Sequence, residues 1–237
     1  MPRLDVTDAL IQIVVQEMSP LVERLTGWNL RPASLRQRVL PKERGYEEIV
    51  LSRMQAAGVN VEEDSPRNIL ERIAEYMLEE TVLAAYEPGS SEILVIRENV
   101  DDSNLDGLRL VVAHELVHRG QHINHPDIFQ QVDLSVRNVC QMDLQTDWSR
   151  EQALEQMSRI QPMMTVLESH AMYVQETIKR LYLPRAVIEA HFNLAVMLMR
   201  LLAAPKMAQY TGAIPAVAQA AKAGTLDDLY HSFGEQV

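Results

Sequence analysis

The stretch LRLVVAHELVHRGQH, residues 108–122, reads as one helix with the chain's chemistry inside it. Leu108, Val111, Val112 and Leu116 give it an apolar face at helical spacing. Among them stand His114, Glu115 and His118. Histidines four residues apart on a helix lie one above the other, ~6 Å apart along the axis. Both imidazoles can then reach one zinc ion at ~2.0–2.1 Å. Glu115 follows the first histidine and points to the side, where a general base is needed beside an activated water. A chain of this composition produces the pattern by chance roughly 0.02 times. The plain alternative is a helix whose two histidines make ordinary hydrogen bonds.

A catalytic zinc needs a third protein ligand and an open position. The longer motif HExxHxxGxxH would put glycine at 121 and histidine at 124. The chain has Gln121 and Asn124 there, with Gly120 and His125 each displaced by one. His122 continues the series, but three ligands along one straight helix span ~12 Å and cannot converge on one ion. His122 is therefore expected at the surface or behind a ligand. His125 is the runner-up: Pro126 ends the helix near Asn124, and the chain can turn there. The strongest candidate is Glu168, in MMTVLESHAMYV, residues 163–174. That segment is apolar at helical spacing apart from Glu168 and His170. A carboxylate in such a setting is costly unless it is paired or on a metal. Ala171, one turn on, leaves room for a close approach to the first helix. The alternative for Glu168 is a salt bridge to a neighbouring helix. His114, His118 and Glu168 together make a ligand set of the gluzincin type.

His170 is two residues past Glu168 and points ~200° around the helix, away from the metal. It is read as packing or as support behind the ligands, with an oxyanion donor as the alternative. Tyr173 is read as core packing, with stabilisation of a tetrahedral intermediate as the alternative. Met163, Met164 and Met172 are read as core filler.

These motifs, together with Lys206-Met-Ala-Gln-Tyr210-Thr-Gly, resemble the bacterial and archaeal zincin-like (zincin_2) family. Its members are usually labelled hydrolases or uncharacterised metallopeptidases, and some are associated with biosynthesis of a deazaflavin coenzyme. The resemblance covers about residues 70–237. It implies that His114 and His118 bind zinc, that Glu115 is the catalytic glutamate and that Glu168 is the third ligand. Ser169 is a departure, since the family typically has glycine after the glutamate. The resemblance supplies a chemistry and no defined substrate.

Outward from this centre the pattern is mostly helical. Residues 4–18 show a stripe of Leu10, Val14 and Met18, interrupted by Pro20. Residues 43–57 read as a helix closed by Gly58, and Ser65-Pro66 opens another with Ile69, Leu70, Ile73 and Met77 on its buried face. Short apolar runs at 81–86 and 93–96 flank Pro88-Gly89-Ser90-Ser91, a hairpin signal. Its outer strand offers an edge for an extended peptide. Helices are expected at 127–143 and 149–160, from Pro162 to about 181, and from Pro184 to about 203, with two short ones joined at Gly224. The expected fold is α-rich α+β: a zincin-like core with a small sheet inside a helical bundle. Its parts are an N-terminal helical part (1–80), the catalytic core (81–183) and a C-terminal helical part (184–237), forming one compact unit.

The chain of 237 residues is long enough to bury a core unaided. With 33 acidic and 22 basic residues its net charge is −11, which argues against nucleic acid and anionic membrane as partners. A single cysteine, Cys140, excludes an intramolecular disulfide and reads as a small buried hydrophobe. The run Leu10 to Val15 is too short to span a membrane and lacks the features of a signal peptide, so a soluble cytoplasmic protein is expected. The expected activity is zinc-dependent hydrolysis of a peptide or small amide. The rivals are a hydrolase of small non-peptide amides and an inactive zincin serving as a binding or regulatory module.

Overall fold

The computed structural model describes residues 4–45, 47–51, 82–140, 147–188 and 212–234. The expected helix opening at Ser65-Pro66, residues 52–58 of the 43–57 helix and most of the Lys206 motif lie outside them. So does the side chain of Cys140.

Helix α1 spans Asp8–Thr26. The Thr7 side chain caps it by accepting the N–H of Leu10 (3.3 Å), and Gly27 closes it in the left-handed region at φ 74°. The stop expected at Pro20 does not occur, because Pro20 is exposed while Met18, Ser19 and Val22 beside it are buried. An interior proline costs ~3 kcal/mol, and each buried aliphatic side chain returns ~1.5–3. Among the described residues of 42–51 there are a 3-10 turn (Lys42–Arg44) and a short π-helical segment (Glu47–Leu51).

Three strands form one sheet: β1 (Arg36–Leu40), β2 (Ala84–Glu87) and β3 (Glu92–Ile96), in the order β1-β3-β2. The expected hairpin is β2 and β3, antiparallel, with Ala84 opposite Val95 and Glu87 opposite Glu92. β1 was not expected. It runs parallel to β3, from Arg36 opposite Glu92 to Leu40 opposite Ile96. Its sequence RQRVL lacks apolar alternation because it is an edge strand. The Asp8 carboxylate accepts the N–H of Val39 (2.6 Å) and ties it to the start of α1. Central β3 is buried throughout Ile93, Leu94, Val95 and Ile96.

Helix α2, Leu105–Asn124, is the expected central helix. The Asn104 side chain caps it by accepting the N–H of Gly107 (2.8 Å). Leu108, Leu110, Val112, Ala113, Leu116 and Val117 are buried between α1, the sheet and a long helix. His125 ends α2, and Pro126 begins α3, Pro126–Cys140.

The long helix is α4, Asp147–Tyr182. Two helices divided at Pro162 were expected, but α4 runs through it. Pro162 is exposed, and the buried stripe of Ile160, Met163, Val166 and Leu167 continues across it. A helix was also expected from Pro184. It does not begin there: residues 184–185 make a turn and residues 186–188 are not helical, with the Val187 carbonyl accepting from Asn104 Nδ2 (2.6 Å). Residues 189–203 of that expected helix lie outside the described residues. The expected C-terminal pair is α5 (212–223) and α6 (Leu226–Gly234), joined at Gly224 with φ 71°. The molecule is helix-rich with a small mixed sheet. Among the described residues no helix is long and apolar enough to cross a membrane.

Candidate metal centre

α2 and α4 pack together and carry the ligand candidates on facing sides. His114 Nε2 lies 3.1 Å from His118 Nε2 and 3.4 Å from Glu168 Oε2. His118 Nε2 lies 3.6 Å from Glu168 Oε1. One ligand atom from each residue falls within 4.8 Å of the others, so the three could hold a metal ion. All three residues are partly exposed, as a site open to solvent requires. Burial alone would lower the His114 pKa. The hydrogen bond with Glu168, the charges of Glu115 and Glu168, and a hydrogen bond with Gln175 outweigh it and raise the pKa. The site therefore attracts positive charge.

Glu115 projects from α2 toward the sheet and is buried. Its Oε2 accepts the backbone N–H of Tyr86 on β2 (2.8 Å), which fixes the carboxylate beside the ligands. Arg119, one turn on, is also buried. It donates to the Tyr86 hydroxyl (2.9 Å), to Ser91 Oγ in the hairpin turn (2.9 Å) and to Ser34 Oγ (3.0 Å). Arg119 thus clamps β2 against α2 and holds the Tyr86 N–H where Glu115 can use it. The Tyr86 hydroxyl accepts from Arg119 and also lies 2.9 Å from His122 Nδ1. His122 packs on Phe129 and stays against the sheet.

Ser169 is buried, and its hydroxyl donates back to the Thr165 carbonyl within α4. Tyr173 is packed against the core. His170 points away from the ligands, as its position predicts, into a buried cluster with Trp28, His125 and Tyr230. Its Nδ1 is 2.7 Å from the Tyr230 hydroxyl, and its ring meets Trp28 edge-on at 5.0 Å. Burial, followed by the nearby charges of His118 and His125, pushes its pKa down to about 3. Burial likewise raises the Tyr230 hydroxyl above its ordinary range. His125 stacks on Tyr230 at 4.2 Å and lies 3.2 Å from Asp227 Oδ1, both on α6. It turns toward the C-terminal helix, not toward His114 and His118.

Sequence reasoning missed Gln121, Gln175, Arg119 and Tyr230. Gln121 Oε1 is 2.8 Å from His118 Nδ1. A polar residue three positions after a ligand histidine, on the same side of the helix, is the one sign that pointed to it. Gln175 and Tyr230 carry no such sign, because they depend on how α4 and α6 pack. Compared with known protein families, curated proteins and solved structures, the chain has no match.

Proposed function

We propose that the chain is a zinc-dependent hydrolase of the gluzincin type, acting as a metallopeptidase on the amide bond of a peptide or small amide. The observation that carries the reading is the spacing of the ligand atoms. Four ligands at ~2.0–2.1 Å in tetrahedral array stand ~3.3 Å apart. The three separations between His114, His118 and Glu168 are 3.1, 3.4 and 3.6 Å. The donor set of two imidazoles and one carboxylate is that of a hydrolytic zinc with an open fourth position. In this reading α2, α4 and the adjoining edge strand form a zincin-like core, in line with the family resemblance of the motifs.

Zinc held by these residues supplies Lewis acidity that acidifies a water and polarises a carbonyl. Glu115 takes the proton of that water and delivers it to the leaving amine. The Tyr86 N–H keeps the Glu115 carboxylate oriented for both transfers. β2 is an edge strand, and Ala84 and Tyr86 face the same way along it. Glu115 already occupies the Tyr86 N–H, so an extended substrate pairing with β2 relies on Ala84 and on the carbonyls.

Metal analysis of the purified protein and a peptide-library cleavage screen test the proposal. About one zinc per chain and cleavage by the wild type are expected. Glu115→Gln keeps shape and zinc but removes the base, lowering turnover by at least ~10²-fold. Near-normal turnover in that variant assigns the base elsewhere.

A further inference from the structure

We propose that Gln121 is a positioning residue, presenting its amide oxygen to His118 Nδ1 and so leaving His118 Nε2 as a lone pair aimed at the metal. This rests on the metal-centre reading above and adds the device that prepares the centre.

The hydrogen-bond senses follow from groups that can only accept. Gln121 Nε2 lies 2.8 Å from the Leu167 carbonyl, which has no hydrogen to give. That atom is therefore the amide nitrogen, and its second hydrogen reaches the Tyr230 oxygen at 2.9 Å. The remaining atom, Oε1, faces His118 Nδ1 at 2.8 Å. An amide oxygen only accepts, so His118 carries its proton on Nδ1, and Nε2 is left as a donor to metal. Gln121 is completely buried, which removes water as a competing partner.

Gln175 ties the same two helices together from the other side: its Nε2 donates to the Leu110 carbonyl (3.0 Å), one turn before His114 on α2. The glutamine of α2 is thus anchored on a carbonyl of α4, and the glutamine of α4 on a carbonyl of α2, so the pairing of the two helices holds Gln121 against His118.

Tyr230 accepts from Gln121 (2.9 Å), and its hydroxyl also meets His170 Nδ1 (2.7 Å). The C-terminal helix thereby steadies Gln121 from behind.

The test uses full-length Gln121→Met and Gln121→Glu. Zinc affinity is measured by chelator competition, and ring N–H exchange is followed by NMR. Gln121→Met is expected to bind zinc ~10–100-fold more weakly, the usual effect of losing a partner that orients a ligand. Gln121→Glu keeps an acceptor at His118 Nδ1 and is expected to bind more tightly than Gln121→Met. A role in packing alone reverses that order, since methionine suits a buried site better than a carboxylate. In zinc-loaded wild type the Nδ1–H of His118 should be protected from exchange, and Gln121→Met should lose that protection. Unchanged affinity and protection in Gln121→Met overturn the proposal. If the wild type binds no zinc, the hydrolase reading falls separately. The positioning role is then judged in metal-free protein by whether Gln121→Met still loses ring-proton protection at His118.

Discussion

His114 and His118 face Glu168, whereas His125 and His170 face Tyr230, and the two pairs sit on opposite sides of Gln121. The composition of the two sites is similar, since Asp227 lies beside the second pair as Glu168 lies beside the first. Their electrostatics are opposed. His114 is raised, chiefly because Glu168 and Glu115 overcome its burial, and His170 is pushed down to about 3. The difference lies in what surrounds the nitrogens. In the first pair, ring nitrogens converge on a carboxylate, and the Gln121 amide oxygen faces His118 from behind. In the second, a hydroxyl and aromatic faces satisfy the rings, and Trp28 and Tyr230 exclude water. Two histidines brought side by side do not make a metal site until a carboxylate and an outer acceptor are placed with them.

Removing the carboxylate is the strongest way to break the contrast. Glu168→Ala and His114→Ala each delete a ligand, and each should weaken zinc binding well beyond the ~10–100-fold expected for an outer partner. Metal content of the folded variants checks this. Full retention in either variant removes that residue from the centre.

A substitution behind the His125–His170 cluster should separate stability from metal binding. Gly120 faces Trp28, and a Cβ there would lie 2.6 Å from Trp28 Cε3 and 3.0 Å from Leu30 Cδ2. Overpacking costs ~1–3 kcal/mol, and alanine returns up to ~1 in helix propensity. Gly120→Ala should therefore lower Tm by about 2–6 °C, with zinc affinity unchanged. A lost zinc site with unchanged Tm would mean that Trp28 supports the ligands and not that cluster.

Gly120 also marks where sequence reading stops. Compared with a motif, it is a turn glycine displaced by one residue. In the fold it lies inside α2 and is small because Trp28, 92 positions earlier, packs on it. His114, Glu115, His118 and Glu168 were legible because their spacing is local to one helix or isolates a carboxylate on an apolar face. The β2–β3 hairpin was legible from its turn residues. β1 was not, because its partners are Asp8 and β3, and neither leaves a mark on RQRVL. Pro20 and Pro162 signalled helix ends that tertiary burial overrode. Pro184 signalled a helix start, but residues 184–188 form a turn and irregular chain held by the Asn104 contact with Val187. The glutamine pair was hidden for the same reason, since its anchors are main-chain carbonyls on another helix.

Acid should act on the buried cluster, through His170, with a defined sign. His170 has a folded pKa of about 3 against an ordinary 6.5, so the unfolded chain takes up a proton that the folded one refuses. Stability from this group is complete above about pH 6.5 and declines as pH falls toward 3, by up to ~1.4 kcal/mol per unit. A non-titrating His170→Asn is less stable at neutral pH but free of that slope. The stability gap between wild type and variant should therefore narrow as pH falls through this window. A gap that stays constant would show that His170 titrates alike in both states.

The smallest expected effect is the one that most directly weighs the two pairs against each other. His125 is the only other histidine placed by sequence to compete as third ligand, because Pro126 ends α2 immediately after it. The turn that follows brings it to Asp227 and the Tyr230 ring, not to His114 and His118. His125→Ala removes a stacked ring and should cost stability of roughly 1–3 kcal/mol, as for other buried truncations. Its route to the metal runs through Tyr230 and Gln121. Gln121 keeps its anchor on the Leu167 carbonyl when His125 is gone. Zinc affinity should then stay within ~3-fold of wild type, less than the loss of an outer partner in direct contact with a ligand. Zinc titration of folded His125→Ala and Glu168→Ala, side by side, decides the matter. If His125→Ala empties the site and Glu168→Ala does not, the third ligand is a histidine, the gluzincin assignment is wrong, and the two pairs have exchanged roles.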